Sequence, residues 1–164
     1  ETPTDETPTD ETPTDETPED EPEALELPVG PEDGTASSAC ELSDGPTTEV
    51  ISASDIGEAG QVLVLPSASE AYLVTLPESG EGYITLQVPD WAVTIGAFLD
   101  SDTTLEVLDP DWVTELILPL SWNGACSDSG MTDQRLKYHS WGSFTVKLVG
   151  EPNAVIHLAF IKVE

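Results

Sequence analysis

Positive charge is almost missing from this chain. Four lysines and arginines stand against 33 acids in 164 residues, giving a formal net charge of −29. No Lys or Arg occurs before Arg135, and the other three bases are Lys137, Lys147 and Lys162. Phosphate recognition needs clustered cations, so nucleic acid and anionic membrane surfaces are excluded as partners. Long apolar runs are absent too: no stretch reaches the ~18–20 residues that a bilayer-crossing helix requires. No segment sustains apolar residues at i, i+3, i+4 and i+7, so long amphipathic helices are not expected. Catalytic and metal signatures are also lacking. There is no G-x-S-x-G elbow, no Cys-x-x-Cys pair and no D-x-[DN]-x-[DN]-G calcium loop.

Cysteine is scarce, and its two copies have similar settings. Cys40 lies in "SSACELSDG" and Cys126 in "GACSDSG", both small, polar, turn-forming stretches. Two such cysteines in a chain with export-like features read as one disulfide, worth ~4–5 kcal/mol in the chain-entropy model for so long a loop. The alternative is a pair of free thiols in a reducing compartment. The chain begins at Glu1 rather than Met. It is therefore read as a processed chain from an extracytoplasmic protein, secreted or at a bacterial cell surface, with a lipoprotein as one natural parent.

What the N-terminus does contain is repetition. Glu-Thr-Pro-Thr-Asp is written three times and then decays to Glu-Thr-Pro-Glu-Asp, and residues 1–34 hold 14 acids and no base. Like charges repel, each proline fixes φ, and the residue before it is pushed toward extended backbone. With almost nothing to bury, ordering entropy goes unopposed. A five-residue period with no apolar position also cannot stack as a solenoid. Residues 1–34 are expected to be a disordered acidic stalk, spanning up to ~100 Å at ~3.1 Å per residue. The Thr-Pro pairs at Thr2, Thr7, Thr12 and Thr17 match the composition of O-glycosylated stalks, although a bare spacer is the simpler reading.

From about residue 47 the pattern turns to short apolar runs of period two, divided by Pro, Gly, Asp and Ser. Strands are expected at 49–53, 61–65, 72–76, 83–88, 92–99, 104–108, 113–120, 143–149 and 155–163. In "YITLQV", Ile84, Leu86 and Val88 face one way while Thr85 and Gln87 face the other, as in a half-buried antiparallel strand. "AVIHLAFIKV" is apolar on both faces and belongs at the centre of a sheet. Residues 35–164 are expected to form one domain, an all-β, antiparallel two-sheet β-sandwich of jelly-roll type.

The segments "AYLVTLPESGEGYITLQV", "VTIGAFLDSDTTLEVL" and "WGSFTVKLVG" before a last strand resemble the bacterial pre-peptidase C-terminal family and related jelly-roll domains. The resemblance covers roughly residues 60–164 and implies an exported accessory module without catalytic residues. The chain departs from that family in reading "SEAYLV" at the strand that usually opens with an acidic, Trp-containing motif. It also inserts residues 121–141 before the Gly-aromatic strand.

Four tryptophans carry the main site candidate. Pro89-Asp90-Trp91 and Pro110-Asp111-Trp112 repeat one tripeptide, each opening an expected strand, while Trp122 and Trp141 flank the insertion. An indole face stacks on pyranose C–H groups while a neighbouring carboxylate accepts hydroxyl hydrogens. Trp91, Trp112, Asp90 and Asp111 are therefore the candidate ligand-binding set, against the plainer reading that the indoles close the ends of the core. Asp100, Asp102 and Asp109, with Asp128 and Asp133 in the insertion, are weaker candidates for calcium; solvated acidic loops explain them equally simply. No cofactor is expected. His139 and Ser140 are adjacent, and without a turn strand geometry would point them to opposite faces, while His157 reads as a hydrogen-bonded core residue. The chain is not expected to be an enzyme. The expected role is a non-catalytic binding module for a glycan or an envelope protein. The alternatives are a structural subunit self-assembling through sheet edges and, last, a secreted hydrolase.

Overall fold

The computed structural model describes residues 26–100, 102–108 and 114–163, apart from the side chain of Ser127. The repeated pentads, Thr2, Thr7, Thr12 and Thr17 lie outside the described residues, as do Asp109, Asp111 and Trp112.

Two mixed sheets pack face to face. The strands are β1 (Thr47–Ile51), β2 (Leu63–Val64), β3 (Ala71–Thr75), β4 (Glu81–Val88), β5 (Val93–Asp100), β6 (Thr104–Val107), β7 (Thr114–Trp122), β8 (Met131–Tyr138), β9 (Gly142–Val149) and β10 (Val155–Lys162). The larger sheet runs β1-β3-β10-β5-β8-β7 and the smaller β2-β4-β9-β6. Pairing is antiparallel throughout the interior, and only the edge strands β1 and β2 join parallel. The expected β-sandwich is present. Alternation explains it: Ile84, Leu86 and Val88 of β4 meet Phe144, Val146 and Leu148 of β9 and Ile156, Leu158 and Phe160 of β10 in one core between the sheets.

The larger sheet is buried on its outer face as well, and a helix does it. α1 (Gly34–Ser43) buries Ala36, Ala39 and Leu42, with Ala39 and Leu42 packed against Ala71, Phe98, Met131, Ala159 and Ile161. β10 is central, between β3 and β5, and its double apolar face matches these two layers. α1 itself was not expected. "GTASSACELS" contains no large apolar stripe, only small residues that fit against a flat sheet. Asp33 caps the helix, its carboxylate accepting from the Ala36 N–H at 3.0 Å.

Within the insertion, β8 is an additional central strand, paired to β5 on one side and β7 on the other. The 3₁₀ turn Gly124–Ser129 precedes it and carries Cys126. Cys126 bonds Cys40 of α1 across 86 residues of sequence, as expected. Asn123, fully buried, adds a second tie by donating to the Ala36 carbonyl at 3.0 Å.

Residues 28–33, assigned above to the stalk, lie against the head. Gly30 N–H donates to the Trp122 carbonyl and Trp122 N–H to the Pro28 carbonyl, both at 2.8 Å. Val29 thus bridges to Trp122 in parallel, beside the end of β7. Gly124 permits the approach, since a Cβ there would sit 2.4 Å from the Gly30 carbonyl oxygen.

Candidate functional site

β4 and β9 end together, with Val88 paired to Gly142, and β5, β7 and β8 meet the same end at Val93, Thr114 and Tyr138. The links from β4 to β5 and from β8 to β9 cross between the sheets there, and each carries one tryptophan. Trp91 is 68 % exposed and Trp141 61 %. The core beneath is closed by other rings. Tyr138 and Phe144, both buried, meet edge to face with centroids 4.7 Å apart. For Trp91 and Trp141 the core-closing reading therefore fails: their places in the core are already filled. Trp122 sits half-buried at the opposite end of β8, beside Val29.

The tripeptide containing Trp112 falls outside the described residues. Asp90, the carboxylate beside Trp91, pairs with the Lys162 ammonium. Ala92 follows Trp91 with φ 52°, a left-handed conformation that costs a non-glycine residue ~1–2 kcal/mol. Such strain in a tight link beside an exposed ring concentrates at ligand-contacting sites. A shallow hollow of about 220 Å³ adjoins, lined by Leu65, Gln87, Val88, Pro89, Trp141 and Ser143. Gln87 Nε2 donates to Ser143 Oγ at 3.3 Å within that lining. Indole, apolar wall and neutral hydrogen-bonding groups together suit a ligand with both C–H faces and hydroxyls.

A second constellation, missed in the sequence, is ionic and buried. On β8, Met131, Asp133 and Arg135 share the outer face of the larger sheet. Asp133 has no exposed surface, and Arg135 Nε donates to its two carboxylate oxygens at 3.1 and 3.0 Å. Nη1 and Nη2 then reach Asp33, at 2.5 and 3.0 Å. The Arg135 hydrogen bond holds the Asp33 carboxyl below its usual range, whereas burial pushes Asp133 up despite the same guanidinium. Burial works against the charge on Arg135, yet its bonds to Asp33 and Asp133 outweigh that and raise its pKa. Asp133 is thus a structural partner of Arg135 rather than part of an acidic loop.

The remaining candidates are scattered. Asp100 Oδ2 accepts from the His157 N–H at 2.8 Å, extending the β5–β10 ladder, and Asp102 and Asp128 are exposed. Among the described residues no group of three or more His, Cys, Asp or Glu is placed to hold a metal ion. His157 is half-buried, and its Nδ1 is buried without a hydrogen-bond partner among the described residues, which corrects the expectation of a hydrogen-bonded core histidine. His139 and Ser140 sit in a bend between β8 and β9, and His139 Nε2 faces Glu115 at 3.4 Å. The chain matches no known protein-family model and no curated protein.

Proposed function

We propose that this chain is a non-catalytic, exported binding module, its β-sandwich head carried on the acidic N-terminal stalk at or beyond the cell surface. The ligand is a neutral carbohydrate gripped at the end of the sandwich that bears Trp91 and Trp141. One observation carries this reading: two indoles stand in solvent where the core is already closed by Tyr138 and Phe144. A soluble domain gains nothing in stability from such exposure, and ring faces of this kind bind sugars through their C–H groups. The resemblance to pre-peptidase C-terminal modules, which implies an accessory role without catalysis, agrees with it. The alternative of a subunit polymerising through its sheet edges is less well supported, because propagation needs two compatible free edges on each copy.

A neutral-glycan array probed with the full chain tests the proposal. Binding that disappears in Trp91→Ala and in Trp141→Ala supports it. Silence across the array, or binding indifferent to both substitutions, removes it.

A further inference from the structure

The four sheet edges are not equally protected. β7 is guarded twice: Val29 occupies its Trp122 end, and its pairing with β8 shifts register on both sides of Leu118, with Pro119 inside the strand. β2 has two residues and β6 four. β1 is closed beyond its end, where Ala53 exchanges two hydrogen bonds with Tyr83 of β4 at 2.9 Å, but not along its own length. It has five residues, Thr-Thr-Glu-Val-Ile, with no proline, glycine or bulge, and it stays in unbroken register with β3 from Thr47↔Ala71 to Ile51↔Thr75. Natural sheets blunt an edge with charge, proline or a bulge, and of these β1 has only the single carboxylate of Glu49.

Its free side can be assigned. The Pro46 carbonyl accepts from Ala71 N–H, and Ser52 N–H donates to the Thr75 carbonyl, at 3.2 and 3.1 Å. In a parallel ladder alternate residues bond the same neighbour, so even positions face β3. Thr47, Glu49 and Ile51 therefore turn both N–H and C=O away from the sheet. Ile51 is 78 % exposed, and Glu49, the strand's one charge, is exposed beside it.

We infer that β1 is an acceptor edge that takes an extended segment of a partner protein as a seventh strand of the larger sheet, with a Lys or Arg of that segment opposite Glu49. Charge selects this occupant over a second copy. An antiparallel pair of β1 strands centred on Glu49 sets carboxylate against carboxylate, between two chains of formal charge −29 each. Main-chain bonds supply affinity in such an addition and side-chain positions supply selectivity. The site is distinct from the tryptophan end and does not depend on the glycan reading.

Amide hydrogen exchange on the full chain tests it, with the probe acetyl-Thr-Val-Lys-Val-Thr-amide and a control in which glutamate replaces the lysine. With peptide at ten times its Kd, exchange at Thr47, Glu49 and Ile51 is expected to slow about tenfold, and far less with the control. Glu49→Pro removes an outward N–H without touching a bond to β3, a substitution edge strands accept, and should abolish the slowing at Thr47 and Ile51. Glu49→Lys should reverse the preference between the peptides, which keeps the test open if the proline variant folds poorly. No slowing with either peptide, or slowing indifferent to Glu49→Lys, overturns the inference. Dimerisation of the chain alone that protects the same three amides overturns it too, since a second copy is then the occupant.

Discussion

The flank beside β8 and the end beside Trp91 invert the usual placement of residues. At the flank, a guanidinium and a carboxylate are buried; at the end, two indoles stand in solvent. The charges go in because they satisfy one another, and the indoles stay out because smaller rings already fill the core. The first arrangement fixes the N-terminal segment to the head, while the second offers a surface to something else. Their roles should separate cleanly under substitution.

The largest effect should come from Arg135→Met. Asp133 is then left buried without its partner, and stability by urea denaturation should fall by ~3–5 kcal/mol. Adding Asp133→Leu should restore most of it, because the pair is replaced rather than broken. Next comes Cys40→Ser with Cys126→Ser, which frees α1 from the turn before β8 and should cost ~2–4 kcal/mol.

Asp33 sharpens the comparison further, because it both caps α1 and pairs with Arg135. Asp33→Asn keeps a good cap and should cost ~1 kcal/mol, moderated because this side chain is 42 % exposed. Asp33→Ala should cost ~1 kcal/mol more. The folded Asp33 carboxyl is held low by Arg135, so its stabilisation is complete above the unfolded value of ~3.9 and fades as pH falls through the lower folded value. The wild-type advantage over Asp33→Asn, followed by denaturation at several pH values, should be flat from neutrality to about pH 5 and shrink below about pH 4. Asp133, raised chiefly by burial, has the opposite sign and largely cancels, since both proteins contain it; only the lesser part of its rise that comes from the Asp33 charge differs between them.

The smallest effect on stability should come from Trp91→Ala and Trp141→Ala. Each should change it by less than ~0.5 kcal/mol while removing ligand binding. A loss of several kcal/mol would place the indoles in the structure's own support and dissolve the contrast.

Much of the head is legible in residue order. β4, β9 and β10 alternate or run apolar as their burial requires, and the matching small-residue settings of Cys40 and Cys126 give the disulfide. β8 is not legible, because "MTDQRLKY" reads as polar until Asp33, 102 residues away in sequence on the docked segment, is set against Arg135. α1 escapes for a related reason: alanines and one leucine make an apolar face only when a sheet lies beneath them. Trp91 belongs to the candidate set read from the sequence, whereas Trp141 joins it only through its exposure in the fold, because no sequence pattern says whether a ring at a strand end points into a core or out of it.

Sequence by itself determined the β-sandwich of the head and the disulfide, because pattern period and cysteine context are properties of neighbouring residues. Tertiary structure alone decided which charges are buried, which indoles are exposed, and which sheet edge is left open. Those outcomes depend on what packs against each residue from distant parts of the chain, and local order along a strand carries no record of that.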